Sequence, residues 1–218
     1  MWVRIPSVAP ILINIFMKLS EANEYVHTPD MLTTKDEIEA WLSDYGVIKH
    51  TINDDLTVDV RTNVDLSGRH IIFLPVQFRK IEANFEIANN DLRSFKGMPN
   101  EILGSCYFGR NRSLSSWAFA PRIVGGTMGA GLSMDSFHNI HKHVDYIGHS
   151  INSNTATSCF LGLLFIKGLQ HLSCSNQDVA RIFNKYLKVP YNYGSPLRDI
   201  HSCQEELIEA GLAEYAKL

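Results

Sequence analysis

No apolar run in this sequence approaches the roughly 20 residues that a membrane-spanning helix requires. The longest, Cys159 to Ile166, has the length of a single core element. Cysteine is scarce. The four residues, Cys106, Cys159, Cys174 and Cys203, are scattered with no CxxC pair. That excludes a disulfide framework and reads as reduced, mostly buried thiols of an intracellular protein. Neither sign of charge dominates: the net charge of -3 rules out a polyanion binder built on bulk charge.

Catalytic signatures are missing as well. Gly125-Gly126-Thr127-Met128-Gly129-Ala130-Gly131 is glycine-rich but lacks the Lys-Ser/Thr of a P-loop and the spacing of a dinucleotide fingerprint. It reads as a flexible turn between repeats. Ser115-Ser116 does not stand in a G-x-S-x-G elbow. Cys159 and His143 supply both halves of a thiol–imidazole pair, yet nothing local joins them, and a buried thiol is the plainer reading. What is present is ordinary globular composition, 45% hydrophobic and 20% charged, in 218 residues. That length suffices for one large core or two small ones.

The first residues stand apart. MWVRIPSVAP followed by ILINIF is a poor signal peptide, because Pro6 and Pro10 break the apolar stretch and no small-residue cleavage site follows Phe16. One allowed back-translation of the first ten residues reads as the 3′ end of a transfer RNA gene, with a stem, the loop UUCGAAU and a final CCA. Residues 1–16 are therefore expected to be an upstream extension of the reading frame, with the start at Met17 or Met31. A gene beside transfer RNA genes fits a compact, phage-like genome.

Thr34-Lys35-Asp36-Glu37 is a capping-box pattern, and Ile38, Trp41, Leu42 and Tyr45 follow at helical spacing. Gly46 stops that helix. Val47 to Ile52 and Leu56 to Val60, separated by Asn53-Asp54-Asp55, read as a hairpin. Residues 17–62 are expected to form a cap of helix plus hairpin on something larger.

That larger body is a repeat over residues 63–151. Phe95 and Trp117, Pro99 and Pro121, and Gly104 and Gly126 are each 22 apart. A fainter unit precedes them: Val64, Leu66, Ile71, Leu74 and Ile81 lie 21 before Phe85, Ile87, Leu92, Phe95 and Ile102. Met134, Ser136 and Phe137 echo Leu114, Ser116 and Trp117 at a distance of 20. In each unit a short strand such as Phe85-x-Ile87 points two side chains inward. Asn90 then turns the chain and satisfies backbone groups, and Leu92 and Phe95 fill the core on the return. A generic β-rich region with chance repeats is the bland alternative.

Beyond the repeat, Phe160 to Leu169 reads as a buried helix or as a last strand and turn. Ser175 is expected to cap a helix carrying Val179, Ile182, Phe183, Tyr186 and Leu187, ended by Pro190. Tyr191 to Pro196 reads as a loop. A final helix is expected from about Asp199 to Ala210, with Ile200, Cys203 and Leu207 on one face and Gly211 as its stop. Residues 152–218 thus form a C-terminal helical cap over the solenoid's open end.

Phe85-x-Ile87-x-x-Asn90-x-Leu92 resembles the L-x-L-x-x-N-x-L stretch of the leucine-rich repeat. The second unit departs from it at the extra Ser113, and the first has Arg69 in place of Asn. A closer resemblance covers most of residues 31–218. The order TKDEIEAWLSDYGV, TINDDLTVDV, VDLSG, NFEIANNDLRSFKGMPNEILG, SFHNIHKHVDYI, FLGLLFIKGLQ, FNKYL and CQEELIEAGLAEYAKL is similar to leucine-rich-repeat-like accessory proteins of tailed bacteriophages. That group is largely of unassigned function. The resemblance implies a phage source and an α+β fold, a short degenerate leucine-rich-repeat-like solenoid with a parallel β ladder and helical caps at both ends. It implies no catalytic residue.

Two remaining features invite chemistry. His138, His141, His143 and His149 lie close together, and two of them at this spacing are able to reach one metal ion. No acid or thiol joins at ligand spacing, so solvated loop histidines are expected. Residues 69–126 carry eight basic against four acidic residues, with Tyr107 and Trp117 among them. The repeat spreads these charges over more than one face, so a nucleic-acid partner is not expected. The ladder's outward positions are expected at Asn63, Asp65, Ser67, Asn84, Glu86, Ala88, Ser105, Tyr107 and Gly109. Solenoids bind other proteins on such faces. The expected function is a non-enzymatic interaction module for a host or phage protein, with Asn63, Asp65, Asn84, Glu86, Ser105 and Tyr107 as contact residues. No cofactor, metal or membrane partner is expected, and the expected location is the cytoplasm of an infected bacterium. A structural or packaged component of the virion is the alternative.

Overall fold

In β strands successive side chains point to opposite faces, so two or three residues suffice to send one apolar side chain inward and one polar side chain out. The computed structural model, which describes residues 31–131, 133–188 and 196–218, uses strands of two to four residues. Residues 32–218 form one unit. The expectations for residues 1–16, for the start codon, for Pro190 and for the loop at 191–195 lie outside the described residues.

The chain order is α1 (Lys35–Asp44), β1 (His50–Ile52), β2 (Val58–Val60), β3 (Val64–Asp65), β4 (Phe78–Ile81), β5 (Phe85–Glu86), β6 (Glu101–Ile102), β7 (Cys106–Tyr107), β8 (Ile123–Val124) and β9 (Met128–Gly131). Then come α2 (Ile140–His143), β10 (Tyr146–Ile147), β11 (Ser150–Ser153), a 3₁₀ turn (Leu161–Phe165), β12 (His171–Cys174), α3 (Gln177–Leu187) and α4 (Pro196–Glu209). From β2 to β11 the strands alternate between two six-stranded sheets. The first has the order β1-β2-β4-β6-β8-β10 and the second β12-β11-β9-β7-β5-β3. Every pairing is parallel except β1 with β2, giving a β-solenoid of about six turns.

Register explains the core. Val64, Phe85, Cys106, Met128, Ile151 and Leu172 pair in sequence across the second sheet and are all buried. Val60, Ile81, Ile102, Val124 and Ile147 do the same across the first. From the segments that link the strands comes a column of buried rings. Phe95 stacks on Trp117 at 5.9 Å, Trp117 on Phe137 at 5.7 Å, and Phe137 meets Phe160 edge-on at 4.9 Å. These are the repeat positions at 22- and 20-residue spacing, so the periodicity records a physical stack.

The ends differ in part from expectation. The Thr34 hydroxyl accepts from the Glu37 amide, and the Glu37 carboxylate accepts from the Thr33 and Thr34 amides, so the capping box forms. Ile38 and Leu42 are buried, and Trp41 stacks on Tyr45 at 4.4 Å. The hairpin also forms, but β2 pairs in parallel with β4, so its second strand is the first rung of the solenoid. The ladder likewise continues past residue 151 to β12. Phe160 to Leu169 holds a 3₁₀ turn rather than a helix or strand. Asn176, not Ser175, caps α3, accepting from the Asp178 and Val179 amides. Pro196 belongs to α4 rather than to a loop. Asn184 of α3 accepts from the Leu172 amide at 2.7 Å and donates to the Leu172 carbonyl at 3.0 Å. Its carboxamide thus occupies the outer edge of β12 as a further strand would.

Candidate functional site

Each turn of the second sheet has polar residues at both ends of its strand, and the structure assigns them different work. Asn63, Asn84 and Ser105 stand just before their strands. The Asn84 amide donates to the Asn63 Oδ1 at 3.1 Å, the Ser105 amide to the Asn84 Oδ1 at 2.9 Å, and the Thr127 amide to the Ser105 Oγ at 3.1 Å. These side chains lash one rung to the next. Three of the six expected contact residues thus spend an acceptor inside the fold. Asp65, Glu86 and Tyr107 do project from the strands, in one row by register, followed by Gly129, Asn152 and Ser173.

Past the strands lies a second polar column, and it is buried. The Asn90 Oδ1 accepts from the Arg69 and Ile71 amides, while its Nδ2 donates to the Leu66 and Ile87 carbonyls. Asn111 repeats the pattern on the Leu92 amide and the Ile87 and Phe108 carbonyls. At the next turn Ser133 takes over, donating to Phe108 and accepting from the Asn111 amide.

Outward charge is distributed unequally between the sheets. On the first sheet Arg79 pairs with Asp59, Lys80 with Glu101 at 3.4 Å, and Arg122 Nε with Asp145 at 2.8 Å. The Arg79 guanidinium holds the Asp59 carboxyl below its usual range, chiefly by hydrogen bonding. Three of the eight basic residues of the repeat are thereby spent locally. On the second sheet Asp65 and Glu86 are register neighbours, about 4.8 Å apart as adjacent strands are. Neither has an ion-pair partner among the described residues.

The glycine-rich run is not a flexible turn. Its last four residues are β9, and Gly125 directly follows β8. Glycine is required there because neighbouring rungs pass too close for a side chain: a Cβ on Gly125 would stand 2.1 Å from the Leu103 carbonyl oxygen. His141 and His143 lie on α2 rather than on a loop, and His138 and His149 lie outside it. His138 is exposed and its Nδ1 lies 3.0 Å from the Leu218 oxygen, and His149 is exposed. His141 lies against the Phe165 ring at 5.1 Å, its buried Nδ1 without a hydrogen-bond partner. Burial, then the neighbouring Lys142, His138 and His143 charges, pull its pKa down. Among the described residues no group of three or more His, Cys, Asp or Glu is placed to hold a metal ion. No described helix is long and apolar enough to cross a membrane. The four thiols are unpaired, and burial pushes Cys203 up to about 12. The chain matches no protein-family model, no curated protein and no solved structure.

Proposed function

We propose that this chain is a non-enzymatic interaction module that engages a host or phage protein through the outward row of its second sheet. The observation that carries this reading is the contrast between the two faces. Charges on the first sheet neutralise one another within the fold. Asp65 and Glu86 on the second stand on adjacent rungs without a cation, a like-charge juxtaposition that costs stability and that a partner's cation relieves. The half-buried Tyr107 continues the same row, with the amphipathic character common in binding hot spots. Six rungs give the row a length of about 24 Å at normal strand spacing, enough for an extended contact. The inward asparagines at the corners support a degenerate leucine-rich-repeat-like ancestry; the role as a bacteriophage accessory protein is proposed on the sequence resemblance alone.

The test is capture of a stoichiometric partner from infected cells by the tagged full chain, repeated with Glu86→Lys and Tyr107→Ala. Both variants are expected to melt like the parent and to lose the partner. A partner retained by both variants refutes this face as the contact.

A further inference from the structure

Two depressions adjoin on the outward side of the second sheet. One, of about 390 Å³, opens beside Tyr107, Asn152 and Asn154 over a floor that includes Gly109 and Gly131. The other, of about 440 Å³, lies at the corner beyond the strands and is walled by His70, Asp91 and Arg112. Arg110 lines both, so the two meet at its side chain.

Each part has a distinct chemistry. The Tyr107 ring rests on the next rung: its Cδ1 lies 2.5 Å from where a Cβ of residue 129 would be, and Gly129 is buried beneath it. Glycine at 129 therefore lets the ring lie against the ladder as a platform. Asn152 lies on β11 and Asn154 in the bend that follows it, and both line the depression beside Tyr107. Both are exposed, and no side-chain hydrogen bond engages either amide among the described residues, which leaves donors and acceptors open beside the ring. At the corner Arg110 and Arg112 stand with His70 and a single carboxylate, Asp91, whose Oδ2 lies 3.7 Å from the exposed His70 Nδ1.

Arg110 itself is held in the left-handed region at φ 63°. Its register equivalents are Asn89, at φ 58°, and Gly68, at φ 67°. Glycine and asparagine adopt that conformation readily and arginine does not. The conformation therefore costs more at Arg110 than at either equivalent.

We propose that the two depressions form one site for a small ring compound bearing a phosphate. The ring stacks on Tyr107 with its polar edge toward Asn152 and Asn154, and the phosphate meets the forked donors of Arg110 and Arg112. A nucleotide and a sugar phosphate share this chemistry. A purely apolar ligand does not, since Tyr107 is the one large apolar wall. This site shares Tyr107 with the proposed protein-partner face but needs no protein partner, and Arg110→Gly distinguishes the two, since Arg110 is not in that row.

The experiment is calorimetric titration of the full chain with adenosine monophosphate, glucose 6-phosphate, inorganic phosphate, adenosine and glucose. At least one phosphorylated ring compound is expected to bind, at least tenfold more tightly than inorganic phosphate and than its own neutral counterpart. Which of the two binds names the source. Arg110→Gly removes the guanidinium while relaxing the backbone, so it tests the site without endangering the fold; at least tenfold weaker binding is expected. Tyr107→Ala is expected to weaken binding similarly, and Arg93→Ala, outside both depressions, to leave it unchanged. No binding of either phosphorylated compound at millimolar concentration overturns the proposal, as does unchanged affinity in Arg110→Gly.

Discussion

Removing the Asn90 carboxamide should damage this fold more than removing that of Asn111, although the two residues look equivalent in sequence. Asn90→Ala deprives the Arg69 and Ile71 amides of their acceptor and the Leu66 carbonyl of its donor; the Ile87 carbonyl keeps Asn111 Nδ2 at 2.9 Å. Asn111→Ala deprives only the Leu92 amide, because Ile87 keeps Asn90 and Phe108 keeps the Ser133 hydroxyl at 2.7 Å. An orphaned buried polar group costs about 1–3 kcal/mol, and the Arg69 amide, only partly buried, recovers some of that from water. The expected losses are about 3–5 kcal/mol for Asn90→Ala and about 1–3 kcal/mol for Asn111→Ala. Against the few kcal/mol that hold a typical domain, the first is severe. Asn111→Ser should cost less than Asn111→Ala, since a hydroxyl already serves this corner at Ser133. Urea unfolding followed by circular dichroism measures all three, with m-values checked for constancy. Equal losses for the two alanine variants, or a larger loss at Asn111, would refute the reasoning from bond redundancy.

Two further predictions concern packing and pH. Gly125→Ala forces apart two rungs joined by the Gly125 amide and the Ile102 carbonyl, and should cost about 3 kcal/mol. Gly46→Ala, where a Cβ meets nothing but φ is 69°, should cost about 1 kcal/mol; thermal melts giving the opposite order would remove the close-approach argument. His141 has a folded pKa below its unfolded 6.5, so the unfolded chain binds the proton more readily. Its stabilising share is complete above pH 6.5 and is lost as pH falls from there through the folded value. Unfolding midpoints at pH 7.5 and 5.0 should therefore differ more in the parent than in His141→Gln, and equal differences would exclude the histidine as the cause.

Legibility in the sequence followed the distance over which each feature acts. The capping box at Thr34 and Glu37, and the stripe of Val179, Ile182 and Phe183, are local patterns and are readable as such. Asn90 and the spacing from Phe95 to Trp117 to Phe137 are also readable, because a buried amide column and a ring stack each demand one residue type per turn. The first sheet beyond the β1–β2 hairpin was not. Its rungs Glu101–Ile102 and Ile123–Val124 are two residues long, too short to alternate, and lie between Pro99 or Pro121 and glycines that signal turns.

The outward row was half legible for a related reason. A period of two sorts side chains into inward and outward, but Asn63, Asn84 and Ser105 stand at a corner where a third direction exists, along the ladder axis. There a short polar side chain finds the next rung's amide before it finds solvent. The depression beside Tyr107 was hidden because its walls come from different turns: Tyr107 from one rung, Asn152 and Asn154 from a rung two further on, and a glycine strand between them. No repeat pattern marks Asn152 and Asn154, since repeats preserve what the core needs and leave the outward positions to vary. In a solenoid the irregular residues on a regular face are thus the ones to examine for binding, and here they are Tyr107, Arg110, Asn152 and Asn154.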